Sequence, residues 1–231
     1  MNFPYTTAEA AGQNMSTVAT KACTDWILET IKTELPDVKV IRSFEESTLS
    51  GDKGVSPIAP IYGRGVSVVA KVSVPEKVIN SVLRTDSVGM LQWHDLIKDI
   101  ALKSGQMQLN FGTPNMIAAV FAATGQDLGC VHECSQAFLD MKQNNGPEGG
   151  IDAKLQMPNV TVGTVGGGTD LPTQSQCLDM MSCSGPRSNF KLAEIIAAVS
   201  LAYELSLIAA QASGDHSSAL DKLGRNRPIN P

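Results

Sequence analysis

The sequence of 231 residues has few aromatic side chains, only three histidines and no cluster of basic residues. With a formal net charge of −5 and no stripe of Lys and Arg, it lacks the surface that nucleic-acid binding requires. Its first residues have neither the basic nor the hydrophobic run of a secretory signal. The longest apolar stretch, residues 192–212, is interrupted by Glu194, Glu204 and Gln211 and therefore predicts a helix buried by another element or subunit. We expect a cytoplasmic protein with no nucleic-acid or membrane partner.

The cysteines also exclude two common kinds of site. They are five in number and have no metal-ligand spacing: Cys23, Cys130, Cys134, Cys177 and Cys183. Cys130 and Cys134 are four residues apart, which suits one face of a helix. We therefore expect reduced thiols, with neither a disulfide framework nor a metal site.

The length and the hydrophobic content of 42% predict one large domain, or one and a half, with enough apolar side chains for a core. Helical and strand patterns are mixed, which indicates an α+β fold. The residues after Gly214 form a polar tail, and residues 47–54 form a polar loop. The periodicities predict helices at residues 8–34, 75–84, 95–104, 114–125, 127–142, 173–181 and 189–212, and strands at 37–41, 65–74 and 154–162.

Residues 157–177 are the most informative segment. A β-branched run, residues 160–162, leads into Gly163 and then into the three consecutive glycines 166–168. Such a loop lets the backbone approach a ligand closely and point its N–H groups at an anion such as a cofactor phosphate. The spacing matches neither GxGxxG nor the P-loop. Taken by itself, such a loop is more often a structural turn.

Three segments taken together resemble the HMG-CoA reductase family. Residues 124–135 resemble its GQD segment, residues 157–177 its MPxxxxGTVGGGTxLxxQxxCL segment, and residues 192–210 its LAxxVxxxxLAxELSLxAA helix. Two fainter similarities extend the resemblance. Residues 63–69 resemble the GRGxSVV strand of the class I enzymes, and residues 9–15 resemble the NADP-binding DAMGMNM segment. The similarities occur in the family's order along nearly the whole chain, and this order makes the resemblance specific.

The resemblance implies the family's α+β fold. Residues 47–231 would form the large domain, and residues 1–46 would be a truncated remnant of the small, ferredoxin-like NADP-binding domain. A homodimer is implied as well, since the family assembles through extensive subunit contacts. The family's catalytic Glu lies well upstream of the DAMGMNM element, so we expect that segment, with the first half of the small domain, to be absent.

The resemblance also implies a chemistry. The family reduces a thioester to an alcohol with two equivalents of NADPH. A Lys stabilises the oxyanion, an Asp hydrogen-bonds that Lys, a Glu transfers protons and a His protonates the departing thiolate. By position, the candidate catalytic residues are Lys53, Asp127, Asp52 and Asn115. NADPH is the candidate cofactor, and its candidate binding residues are Glu9, Gly12, Asn14, Gly166, Gly167, Gly168 and Thr169.

The local sequence leaves a structural alternative for each candidate catalytic position. Asp127 opens an apolar helical pattern and is a good helix N-cap. Lys53 lies in a polar loop, where a solvated charge is common. Asn115 follows Pro114 and suits a local turn or cap contact.

The C-terminal segment departs from the family. Lys222 stands where the resemblance places the catalytic His, before the pair Asn226 and Arg227. An unperturbed Lys, with a pKa of about 10.4, is a poor acid for a thiolate at neutral pH. His216 would replace the His only if the chain were re-routed, and neither His94 nor His132 matches a catalytic position.

With neither the Glu nor the His matched, we do not expect this chain alone to complete the thioester reduction. Three functions stay open. The first is a repurposed, non-redox isomerase or cyclase of secondary metabolism, in which Lys53 and Asp127 polarise a carbonyl of a polyketide- or terpenoid-like small molecule. The second is an NADPH-dependent acyl-CoA thioester reductase completed by a partner chain, and the third is a non-catalytic dimeric interaction protein. We favour the first, because a truncated NADP-binding domain would open a cavity for another substrate.

Overall fold

The computed structural model describes residues 1–223, in which helices surround a three-stranded sheet. Asn226 and Arg227, part of the C-terminal comparison above, lie outside the described residues. The helices are α1 Gln13–Glu34, α2 Ala59–Tyr62, α3 Glu76–Val78 (continued by a π turn, Ile79–Leu83), α4 Ser87–Lys103, α5 Thr113–Thr124, α6 Val131–Cys134, α7 Pro172–Met180, α8 Ser188–Ala212 and α9 His216–Leu223. The strands are β1 Val66–Val74, β2 Phe138–Gln143 and β3 Ile151–Val160.

Strand β3 lies at the centre of the sheet and pairs antiparallel with both neighbours, in the order β1-β3-β2. Leu155 is opposite Ala70 on one side and Leu139 on the other. In the first part of β3, every second side chain is buried, starting with Ile151. Because side chains alternate between the faces of a strand, one face of the sheet builds the core.

Helix α8 covers that face and also packs against α4 and α5. Its buried side chains include Leu192, Ile196 and Ile208, each fully buried. Within the described chain, it is the one helix whose length and composition alone would let it cross a bilayer, and 56% of its most apolar window is buried inside the protein. The expected burial of residues 192–212 is confirmed, and the covering elements belong to this same chain.

A buried carboxylate joins α8 to the start of α5. Glu204 is fully buried, and its oxygens accept hydrogen bonds from the backbone N–H groups of Phe111, Gly112 and Thr113 and from the Thr113 hydroxyl. The first N–H groups of a helix have no partner within the helix and carry a partial positive charge. Glu204 therefore fixes the beginning of α5, whose last turn leads to Asp127.

Two expectations for secondary structure are wrong. Residues 127–142 do not form one helix: a single 3₁₀ turn, Leu128–Cys130, leads into α6, and the chain then enters β2. The side chains of Leu139 and Met141 are buried with a period of two, and pairing with β3 overrides any helical preference. Residues 37–41 are not a strand, since no neighbouring strand pairs with them and Ile41 is 85% exposed. The tail after Gly214 contains α9.

The mixed α and β architecture is confirmed. None of the 22 residues of α1 is buried, whereas α8, of similar length, contributes many side chains to the core. The boundary between residues 46 and 47, and the assignment of residues 1–46 to a small-domain remnant, stay predictions.

Candidate functional site

Lys53 lies in a tight loop and is held by carboxylates at both its backbone and its side chain. Its Nζ atom is 3.1 Å from Oδ2 of Asp127 and 3.1 Å from Oδ2 of Asp52. Its backbone N–H donates to Oε2 of Glu133 over 2.7 Å. Its φ is +59°, in the left-handed region that residues with a Cβ rarely occupy. The ammonium is thus bound at a defined place although the side chain is 47% exposed.

Asp127 caps a turn with one carboxylate oxygen and pairs with Lys53 through the other. Its Oδ1 atom accepts the N–H of Gly129 over 2.9 Å and caps the 3₁₀ turn, while Oδ2 faces Lys53 and the side-chain amide of Gln13. A Cβ on Gly129 would come within 2.6 Å of Lys53 Cε. The glycine therefore lets the Lys53 side chain cross the turn on its way to Asp127.

The pairing shifts the pKa of both groups. The hydrogen bond to Asp127, followed by that to Asp52, raises the pKa of Lys53 to about 12. Partial burial acts to raise the pKa of Asp127, but the hydrogen bonds from Lys53 and Gly129 outweigh it and lower that pKa below its ordinary value. At neutral pH the site therefore presents an ammonium held by a carboxylate. Such a group stabilises a developing oxyanion.

The residues behind Lys53 were not predicted from the sequence. Glu133 on α6 is fully buried and forms an ion pair with Arg64, whose Nη2 is 2.7 Å from Oε1. Arg64 Nη2 also lies 2.5 Å from Oδ1 of Asp52 and donates to Cys130 Sγ over 3.5 Å. A charged Glu within the apolar run after Asp127 was the available signal, because a buried charge requires a partner.

Asp52, Cys130 and Glu133 place their ligand atoms within 4.8 Å of one another, a spacing that could hold a metal ion. The guanidinium of Arg64 contacts all three side chains and supplies the positive charge there. Burial, and then the charges of Glu133 and Asp127, raise the pKa of Cys130 to about 12, so its thiol stays protonated. The geometry therefore favours a salt-bridge network, not a metal centre.

A cavity of about 460 Å³ lies beside Asp127, between the two segments proposed to bind the cofactor. One wall is the start of α1 with its preceding turn, and the other is the glycine loop. Its lining includes Gly12, Gln13, Asn14, Gly125, Gln126, Asp127, Gly163, Gly166, Gly167, Gly168 and Thr169. Of the seven candidate cofactor residues, six border this one cavity, and Glu9 does not.

The glycines of the loop differ in their surroundings. Gly166 and Gly167 have φ of +79° and +61°, and a Cβ at either would meet open space. A Cβ at Gly125, by contrast, would lie 2.2 Å from the carbonyl oxygen of Gly168. The loop thus packs closely against the end of α5 at one glycine and leaves two others facing free volume. Close packing, one of the two alternatives for this loop, is thus observed at Gly168, and ligand binding at Gly166 and Gly167 stays a prediction.

Glu9 holds the two walls together. Its backbone carbonyl accepts the N–H of Thr164 over 2.8 Å, and its carboxylate accepts the N–H of Arg187, just before α8, over 2.9 Å. The Thr169 hydroxyl donates to the carbonyl of Gly166 over 2.7 Å and closes the glycine loop. These contacts give Glu9 a structural part in shaping the cavity.

Three other residues lie apart from the cavity. Asn115 is exposed in the first turn of α5, and its side chain makes no hydrogen bond with the described residues. His216 and Lys222 lie on α9, and neither is in the cavity lining nor hydrogen-bonded to Lys53 or Asp127. Within residues 1–223, the candidate site is thus Lys53, Asp127 and Asp52 beside the cavity.

The family model for hydroxymethylglutaryl-coenzyme A reductase matches residues 1–225. The chain belongs to this reductase family. It is 37% identical over 224 residues to the 3-hydroxy-3-methylglutaryl-coenzyme A reductase of Methanocaldococcus jannaschii, covering 96% of this chain and 54% of the relative. The corresponding figures are 38%, 97% and 55% for the reductase of Haloferax volcanii. For that of the sea urchin Strongylocentrotus purpuratus they are 33%, 93% and 23%.

The resemblance on which the site residues were chosen is therefore confirmed at the level of the family. The chain spans about half the length of the archaeal reductases it matches. The roles of individual residues stay predictions.

Proposed function

We propose that the chain forms part of an NADPH-dependent reductase acting on an acyl-CoA thioester. One observation carries this proposal: the two segments chosen as cofactor-binding line a single cavity, and Asp127 of the Lys53 pair borders the same cavity. A reduction needs the cofactor and the group that stabilises the oxyanion side by side. The isomerase or cyclase hypothesis has no comparable observation in its favour.

The walls of the cavity suit a phosphorylated cofactor. Gly166 and Gly167 carry no side chain where a Cβ would face open space, so a ligand can approach the backbone of the loop closely there. Asn14 adds an amide donor from the first turn of α1. When bound, NADPH would supply the hydride, and the glycine loop with the start of α1 would hold it.

Lys53 and Asp127 would act on the thioester carbonyl. As the hydride reaches the carbonyl carbon, negative charge grows on its oxygen, and the Lys53 ammonium would stabilise that charge. Asp127 keeps the ammonium protonated and aimed, as its 3.1 Å contact and the raised pKa of Lys53 indicate. The same pKa, about 12, makes Lys53 a poor proton donor at neutral pH. Other groups must therefore deliver protons.

The proton-handling Glu and His of the family's mechanism have no counterpart near the described site. The archaeal reductases reported above are about twice as long as the segment that this chain matches. We propose that residues outside this segment, or a partner subunit, supply these groups. A homodimer, a cytoplasmic location and a small-domain role for residues 1–46 fit this proposal and remain part of it.

A pair of glycine variants tests the cofactor cavity. Gly167 and Gly105 both have positive φ and open space at the Cβ position, but only Gly167 lines the cavity. Both substitutions should strain the backbone to a similar degree, so a difference between them reports the added methyl group in the cavity. Gly167→Ala should weaken NADPH binding about tenfold or more, whereas Gly105→Ala should bind NADPH as the wild type does. Binding is followed by NADPH fluorescence or calorimetry on the intact protein. No binding at millimolar NADPH, or equal affinities for the two variants, would remove the reductase hypothesis.

A further inference from the structure

Glu133 stands out because it is fully buried, charged and placed behind the candidate catalytic loop. It lies on α6, six residues after Asp127. Its side chain does not reach the cavity, and the proposed chemistry does not use it. Burying a carboxylate costs free energy unless hydrogen bonds and opposite charges compensate it. The groups that contact Glu133 therefore indicate its function.

Both carboxylate oxygens of Glu133 are occupied by the Lys53 loop and its neighbour. Oε1 receives Nη2 and Nε of Arg64 over 2.7 and 3.1 Å. Oε2 accepts the backbone N–H of Lys53 over 2.7 Å. Arg64 extends the network to Asp52, which contacts Lys53 Nζ. Glu133 therefore binds the backbone of Lys53 directly. It is connected to the Lys53 ammonium through the side chains of Arg64 and Asp52.

Lys53 needs such a support. Its left-handed backbone conformation is strained for a residue with a Cβ and persists only where surrounding contacts hold it. Packing cannot do so, since the Lys53 side chain is 47% exposed. Glu133 and Asp127 lie on the same turn-and-helix unit. One rigid segment therefore carries both the carboxylate that meets Nζ and the carboxylate that holds the backbone of the same residue.

We propose that Glu133 is a positioning residue, which fixes the backbone of Lys53 so that its ammonium meets Asp127. The inference rests on the proposed function for its catalytic consequence. Its structural consequence, the placement of Lys53, is measurable without any turnover.

The test compares Glu133→Leu with Ile151→Val in the intact protein. Leu has a similar volume but no acceptor, and Asp52 still pairs Arg64. Ile151 is the first residue of β3 and is buried, whereas the last residues of that strand lie beside Gly65. At about 3.3 Å per residue, the two ends of β3 are about 30 Å apart. The Ile151 variant therefore reports a loss of core packing without a change at the site.

Two readouts are made on each variant. Glu133→Leu should acylate at Lys53 several-fold faster with an amine-reactive ester, measured by peptide mass spectrometry, because the ammonium is released from Asp127. Its kcat for NADPH-dependent thioester reduction should fall about tenfold or more, with the KM values within about twofold. Ile151→Val should match the wild type in both. If Glu133→Leu does not fold, Arg64→Met/Glu133→Leu, which leaves no unpaired buried charge, takes its place.

The outcomes separate the two proposals. Unchanged Lys53 acylation in the Glu133 variant would overturn the positioning role, whatever the activity. Faster acylation in a protein whose wild type never oxidises NADPH would support the positioning role and overturn the reductase function. Equal losses of kcat in Glu133→Leu and Ile151→Val would mark the effect as general destabilisation and would also overturn the positioning role.

Discussion

The N-terminal part of the described chain and the part from β1 to α8 differ in how far their large apolar side chains are buried. From β1 to α8, the chain surrounds one core in which Ile196, Leu155 and Ile151 are fully buried. From α1 to the Lys53 loop, side chains of the same apolar kinds face solvent: Trp26 is 70% exposed and Phe44 79%. The first region buries its apolar side chains in its own core, whereas the second leaves several of its large apolar side chains exposed.

The candidate site lies where these regions meet. Asp127 and Glu133 belong to the core region, while Lys53 and Gln13 come from the exposed region. The core region therefore carries the carboxylates of Asp127 and Glu133, and the less buried region supplies Lys53 with its neighbour Asp52 and one wall of the cavity.

The strongest test of this contrast compares one buried and one exposed large side chain. Ile196→Ala on α8 should lower the free energy of unfolding by about 3–5 kcal/mol, because it removes buried methyl groups and leaves a cavity. Trp26→Ala on α1 should change it by no more than about 0.5 kcal/mol. Both are measured by denaturant unfolding. A loss at Trp26 comparable to that at Ile196 would mean that α1 is covered in solution and would end the contrast.

The second test addresses the buried carboxylate at the start of α5. Glu204→Gln should destabilise the protein by about 2–3 kcal/mol, since an amide N–H₂ would face backbone donors that now meet a carboxylate. Glu194→Gln, at an exposed position on the same helix, is the matched control and should be neutral. Equal midpoints in urea for the two variants would show that Glu204 does not anchor α5.

The third test addresses the ion pair that bridges the regions. The Lys53 ammonium keeps its proton below its raised pKa of about 12 and loses it as the pH rises through that value. In Asp127→Asn the largest cause of the shift is gone, so the pKa of Lys53 should fall towards 10.5 and the proton should be lost at lower pH. An NMR titration of the Lys53 Cε resonance measures this. An unchanged titration would mean that Asp127 does not hold the ammonium in solution.

The sequence predicted some elements of the core region closely and misassigned others. The elements β1, α5 and α8 were predicted to within one residue at each end, because their boundaries carry local signals such as Gly125. The segment after Asp127 was misassigned, because β2 owes its conformation to pairing with a strand that lies further along the chain. Local periodicity does not encode that partner.

The residues of the candidate site were likewise predicted only in part. Lys53 and Asp127 were chosen through the family resemblance, since the 73 residues between them in the sequence hide their proximity. Arg64 and Glu133, separated by a similar stretch, were missed. A buried ion pair forms through tertiary packing, and its only trace in the sequence is a charge in an apolar run.

The smallest expected effect belongs to Gln13, the direct link between α1 and Asp127. Its side-chain amide donates to Asp127 Oδ2 over 3.3 Å and to Cys130 Sγ over 2.9 Å. Gln13→Ala should lower kcat/KM for thioester reduction about fivefold, equivalent to one hydrogen bond of about 1 kcal/mol. Gln92→Ala, an exposed glutamine on α4, is the control and should leave kcat/KM unchanged. If the two variants behaved alike, α1 would form a wall of the cavity without acting on Asp127.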